Sequence, residues 1–155
     1  MNLGDVLRET CVLVDLKGET KELVLRELVV ALKQEHLVED EEEAIRVILE
    51  RENLGSTGIG DGVAIPHGKM KGLSGMLCAF GRSVNGVPFD AVDRQPVHIF
   101  FLLLAPEETA GLHLRMLSRI SRILRDAPFR RKLMEQANSP ELYRDIVEED
   151  RKYSG

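Results

Sequence analysis

His67 closes the one stretch of this chain whose residue types point to chemistry. Between Asn53 and Lys71 (NLGSTGIGDGVAIPHGKMK) there are five glycines and one proline. The segment resolves into a glycine-rich approach, a short apolar run Val63-Ala64-Ile65, and then Pro66-His67-Gly68. Three nucleotide or acyl sites are tested by their spacing. A Walker A loop needs GxxxxGK[ST], and no glycine here precedes Lys and then Ser or Thr in that register. A Rossmann turn needs GxGxxG; Gly58 and Gly60 begin one, but Val63 stands where the third glycine belongs. A nucleophile elbow, GxSxG, is absent.

What remains suits a histidine that carries a phosphoryl group. One ring nitrogen must be held by a hydrogen bond so that the other points outward as a nucleophile. Glycines let another backbone or a second protein come close, and Pro66 fixes the local chain. Backbone amides and the hydroxyls of Ser56 and Thr57 offer donors for phosphoryl oxygens. A loop histidine that merely ends a strand fits the same residues equally well.

A resemblance separates the two. Residues 51–71, RENLGSTGIGDGVAIPHGKMK, resemble the active-site signature of the fructose/mannitol-type enzyme IIA domains of the phosphotransferase system, and most closely their nitrogen-regulatory branch. The downstream segment Phe89-Asp90-Ala91-Val92-Asp93-Arg94-Gln95-Pro96-Val97 and the pair His113-Leu114 are similar to that branch too, so the likeness runs from about Leu3 to Val147. The resemblance implies a phosphoryl carrier, a phosphotransferase with a phosphohistidine intermediate, phosphorylated on Nε2 of His67. It implies His113 as the second active-site histidine, Arg51 as the active-site arginine, and Ser56 and Thr57 as a phosphate-proximal hydroxyl pair.

The implied partners are an HPr-like phosphocarrier as donor, and downstream either regulatory target proteins of nitrogen and potassium metabolism or a IIB domain of a fructose- or mannitol-type sugar permease. The wording of the signature favours the regulator. No metal or organic cofactor is required. Ile59, Met70 and Leu73 are candidates for the apolar rim on which a donor docks. His98 reads as structural and His36 as exposed.

Composition limits the alternatives. The chain has 155 residues, a formal net charge of −5, and 5% aromatic residues with no tryptophan. An acidic chain without aromatic platforms does not read as a nucleic-acid binder. Arg115, Arg119, Arg122, Arg125, Arg130, Arg131 and Lys132 form a basic stretch, read either as a solvated helix face or as a docking surface for an acidic partner. Cys11 and Cys78 lack metal or CxxC spacing and read as small buried hydrophobes. No apolar run approaches the ~18 residues of a membrane span, and the N-terminus lacks the pattern of a signal peptide. The expectation is one cytoplasmic domain over residues 1–155 with no membrane insertion.

The elements that must hold His67 alternate between helix and strand. A helical turn is expected over residues 2–9, then a strand over Cys11–Leu16. Thr20 caps a helix to Glu35 with Leu23, Leu25, Leu28, Val29 and Leu32 inward, and Asp40 caps a second through Glu52. Strands are expected over Met76–Ser83 and Val97–Leu104, with loop across Val84–Pro96 that has room for a short edge strand. Helices follow over Glu107–Asp126, Pro128–Gln136 and from a Ser139 cap to Glu149, with the tail Arg151–Gly155 frayed. The strands are too apolar to face water, which predicts a three-layer α/β/α sandwich around a small mixed sheet. The resemblance implies about five strands.

Overall fold

The computed structural model describes residues 1–153. In chain order these form α1 (Leu3–Val6), β1 (Leu7–Leu13), α2 (Lys21–Gln34), α3 (Glu41–Asn53), β2 (Gly58–Gly60), β3 (Val63–Ala64) and β4 (His67–Lys69). There follow β5 (Leu77–Val87), β6 (Val97–Ala105), α4 (Leu112–Leu124), α5 (Ala127–Glu135) and α6 (Ser139–Arg151). The sheet among the described residues is mixed, in the order β1-β5-β6-β3-β2, with β4 also on β6.

The strand count needs one refinement. There are six strand segments but five positions across the sheet, because β3 and β4 lie end to end on the same edge of β6. Val63 pairs Ile99 and His67 pairs Leu103, which is one continuous register. Pro66 divides them, since it has no N–H to give to the ladder.

Both faces of the sheet are covered, so β5 and β6 read as nearly unbroken buried runs. Strand β1 contacts α2 and α6. The Cys11 thiol points to the Ala31 carbonyl of α2, while the Val12 carbonyl takes a hydrogen bond of 2.7 Å from Ser139 of α6. Helices α2 and α3 pack together on one side, and α4 packs with α5 and α6 on the other. Phe80 and Phe101 meet edge to face in the core, as do Phe89 and Phe100.

Several boundaries move. The first helix is a single turn, and β1 begins at Leu7 rather than Cys11, because its exposed Arg8-Glu9-Thr10 hides the strand pattern. Strand β5 runs on to Val87, so the strand within Val84–Pro96 is Val84–Val87 and continues β5 instead of forming a separate edge strand. A register shift between Arg82 and Val87, with Ser83 Oγ accepting the Gly86 N–H at 3.1 Å, breaks the apolar alternation there. Leu23 lies outside the α2 stripe, 50% exposed.

Helix α4 starts at Leu112, not Glu107, because Ala110 and Gly111 both take left-handed backbone (φ +50° and +83°), which a right-handed helix does not accommodate. Asn138, not Ser139, caps α6: its Oδ1 accepts the Glu141 N–H at 3.0 Å. Of the tail expected to fray, Arg151 continues α6, and Arg122 lies 5.7 Å from the Tyr153 ring; Ser154 and Gly155 lie outside the described residues. The basic stretch is partly consumed by structure. Arg119 pairs with the buried Asp150, Arg130 donates to the Leu124 and Arg125 carbonyls, and Lys132 sits 3.5 Å from Asp145.

Candidate functional site

Three elements deliver the site. His67 opens β4, immediately after the proline break; Arg51 occupies the last turn of α3; His113 stands in the first turn of α4. Gly68 makes the closeness of α3 possible: a Cβ there would meet Val47 at 3.2 Å and the Val47 backbone at 3.4 Å. The three residues line a single cleft of about 1000 Å³, together with Lys69, Lys71 and Glu107. Leu54, 86% exposed, stands on its rim.

The orientation of His67 follows from one hydrogen bond. Its Nδ1 lies 2.8 Å from the carbonyl oxygen of Ile65. A carbonyl only accepts, so Nδ1 carries the proton and Nε2 is left with a free lone pair. Burial pushes the ring below the ordinary imidazole value. The Ile65 bond works against that shift, the Arg51 charge adds to it, and the Glu52 charge opposes it. At neutral pH the ring is therefore an uncharged nucleophile with a fixed tautomer.

His113 is placed by Thr109, whose Oγ1 lies 2.9 Å from its Nδ1. Burial, Lys69 and His67 lower its pKa, in that order. The positive end of the α4 dipole sits beside it, while the Leu112, Leu114 and Arg115 amides donate to the Thr109 and Gly111 carbonyls. Arg51 donates to the Gly55 carbonyl at 2.8 Å through one guanidinium nitrogen, which leaves its other donors for an anion. A neutral imidazole nucleophile, a guanidinium, an ammonium and a helix N-terminus around one cleft can bind and stabilise a transferring oxyanion such as a phosphoryl group.

Ser56 and Thr57 do not line this cleft. The Ser56 hydroxyl donates to the Phe89 carbonyl at 2.8 Å and accepts the Gly58 N–H at 3.0 Å. Thr57 is 4% exposed, and its hydroxyl and N–H are both committed to the carboxylate of Glu52. Both hydroxyls hold the glycine-rich segment instead of facing outward. Met70 is 6% exposed and belongs to the core rather than to a docking rim, whereas Ile59 is 48% exposed. Lys69, Lys71 and Glu52 were not singled out by their spacing. The two lysines follow His67 by two and four residues, so proximity alone was the available signal; nothing in the sequence marks Glu52 as buried. Among the described residues no cluster of three or more His, Cys, Asp or Glu side chains has the geometry to hold a metal ion, and no helix is long and apolar enough to cross a membrane.

Fold and cleft together define a class of protein: an α/β domain that presents a neutral, tautomer-fixed histidine among cationic groups at a sheet edge. Within that class, the chain belongs to the EIIA 2 family of the phosphoenolpyruvate-dependent sugar phosphotransferase system, whose model matches residues 5–149. It is 40% identical over 144 residues to a nitrogen regulatory protein of Bradyrhizobium diazoefficiens, covering 92% of this chain and 93% of that one. It is 35% identical over 147 residues to the fructose-specific EIIABC component of Bacillus subtilis, of which it spans 23% while covering 95% of its own length. The crystal structure of nitrogen regulatory protein IIA-Ntr from Neisseria meningitidis superposes with a TM-score of 0.87 at 33% identity, over 93% of this chain and 98% of that chain. The fold is also that of IIA mannitol from Escherichia coli, with a TM-score of 0.75 at 21% identity over 89% of this chain and 96% of that one.

Proposed function

We propose that this protein is a phosphohistidine carrier that accepts a phosphoryl group on Nε2 of His67 from an HPr-like phosphocarrier, and that its phosphorylation state regulates partner proteins. The observation that carries this is the 2.8 Å bond from His67 Nδ1 to the Ile65 carbonyl, inside a cleft shared with Arg51 and His113. In the transfer step the Nε2 lone pair forms the new N–P bond. The donor's P–N bond breaks in line, and its electron pair returns to the donor ring. Arg51 and Lys69 would hold the phosphoryl oxygens, with the positive end of the α4 dipole nearby, while His113 sits where charge develops.

A regulatory role in nitrogen metabolism is supported by near end-to-end similarity to nitrogen regulatory proteins; its extension to potassium metabolism rests on the resemblance of the signature alone. A second reading, a sugar-specific EIIA that passes phosphate to a permease IIB domain, draws on the fructose-specific relatives. The mannitol IIA, which shares this fold, has been captured with its phosphorylated IIB partner.

The test is intact mass after incubation with phosphoenolpyruvate, enzyme I and an HPr-type carrier. A gain of one acid-labile phosphoryl group, absent in His67→Ala, supports the carrier; no gain with either sugar-type or nitrogen-type donors sinks it. Onward transfer to a fructose- or mannitol-type IIB domain would move the protein to the second reading.

A further inference from the structure

We propose that Glu52 is a positioning residue: acting through Thr57 and Ile65, it holds the His67 ring in the tautomer that leaves Nε2 unprotonated. The inference rests on the reading of His67 as the phosphoryl acceptor.

Glu52 is out of place by ordinary rules. It is 6% exposed, and it lies in the last turn of α3, where the helix dipole disfavours a negative charge. A buried carboxylate there is costly unless it is paired and hydrogen-bonded. Its partners are the Lys21 ammonium at 3.0 Å, the Thr57 N–H at 3.1 and 3.3 Å to its two oxygens, and the Thr57 hydroxyl. Thr57 then passes the constraint on: its carbonyl accepts the Ile65 N–H at 3.0 Å. The carbonyl of that same Ile65 accepts the His67 Nδ1–H at 2.8 Å. One residue thus takes its position from the Glu52 side and gives the tautomer to the His67 side.

The route has a chemical use. When Nε2 bonds to phosphorus while Nδ1 keeps its proton, the ring carries a positive charge until that proton leaves. Of the two nearby charges that act on the ring, Arg51 opposes that state and Glu52 favours it. A carboxylate at this position therefore both sets the geometry and moderates the charge of the acceptor.

The experiment uses the full chain with Glu52→Gln and Glu52→Ala. Long-range proton–nitrogen-15 spectra of the His67 ring read its tautomer in the unphosphorylated protein, and initial rates against donor concentration separate kcat from KM. In the unaltered protein the ring should be the Nδ1–H form. Both variants should show admixed Nε2–H, with kcat down roughly ten- to a hundredfold and donor KM unchanged, since small misplacements of a nucleophile cost that much. Glu52→Gln, which keeps one acceptor for Thr57, should fall between the unaltered protein and Glu52→Ala. If Glu52→Ala fails to fold, Glu52→Gln decides alone. An unchanged ring signature in Glu52→Gln overturns the proposal, even if its rate falls. Should the unaltered protein accept no phosphate, the carrier reading fails, yet the spectra still judge whether Glu52 sets the tautomer.

Discussion

Two histidines in this protein make the same bond in different surroundings. His67 Nδ1 lies 2.8 Å from the Ile65 carbonyl, and His98 Nδ1 lies 2.9 Å from the Ser83 carbonyl. Both rings sit at β6: His98 near its start, His67 beside its last residues through the pairing with Leu103. Both are therefore fixed with Nε2 as the free nitrogen. His67, however, opens onto a cleft of about 1000 Å³ with Arg51, Lys69 and His113. His98 borders a hollow of about 420 Å³, and a Cβ on Gly86 would sit 3.0 Å from its Nε2. The fixed tautomer is common to both rings, so what sets His67 apart is the room for an incoming group and the cationic side chains that converge on it.

The largest contrast is expected from removing each ring. His67→Ala should abolish acid-labile labelling, while His98→Ala should leave the labelling rate within twofold (~2), both measured by intact mass. Labelling lost in His98→Ala and retained in His67→Ala would reverse the assignment. Next come the groups that only His67 possesses. Arg51→Ala should slow transfer by roughly a hundredfold, as when one charge-stabilising donor is removed, and His113→Ala should slow it without removing the acceptor. Quench-flow mass measurements would show both.

Glycine substitutions sharpen the comparison further. Gly86→Ala places a Cβ at φ +83° and 2.8 Å from Pro96. It should cost about 1–3 kcal/mol in urea denaturation while sparing transfer. Gly68→Ala presses on Val47 of α3, which carries Arg51, and should slow transfer more than it lowers stability.

The smallest effect is on pH. Burial holds His67 below the ordinary imidazole value of 6.5, so its Nε2 stays unprotonated as pH falls through that value. The transfer rate should hold there and drop only at lower pH, as a pH–rate profile with a pH-insensitive donor would show. Stability runs the same way. The unfolded chain binds protons on His67 and His113 at higher pH than the folded one, so stability falls as pH drops from 6.5 through the folded values.

Much of this was legible beforehand. Thr20 and Asp40 cap α2 and α3 because a short side-chain oxygen next to a helical run has few other uses; they accept the Leu23 and Glu43 N–H groups. The apolar runs of β5 and β6 and the glycine-rich approach to His67 were equally plain. Leu112–Leu124 was recognisable as a helix, but its start was not, since left-handed backbone at Ala110 is set by the turn and not by alanine's preference.

Helices α2 and α3 and the apolar runs of β5 and β6 were determined by the sequence itself, because capping and periodicity are local interactions between near neighbours. By contrast, β2 and β4 are strands only through their pairing with β3 and β6. Which groups would share the His67 cleft was decided only by the tertiary structure. Thr57 looks like an outward donor in sequence, yet it turns inward because Glu52, five residues earlier, needs hydrogen bonds in a buried position. His113 reaches the cleft because the end of β6, where His67 pairs with Leu103, leads through the Ala110–Gly111 turn into α4. Those outcomes depend on desolvation and close packing between distant segments, which no local pattern encodes.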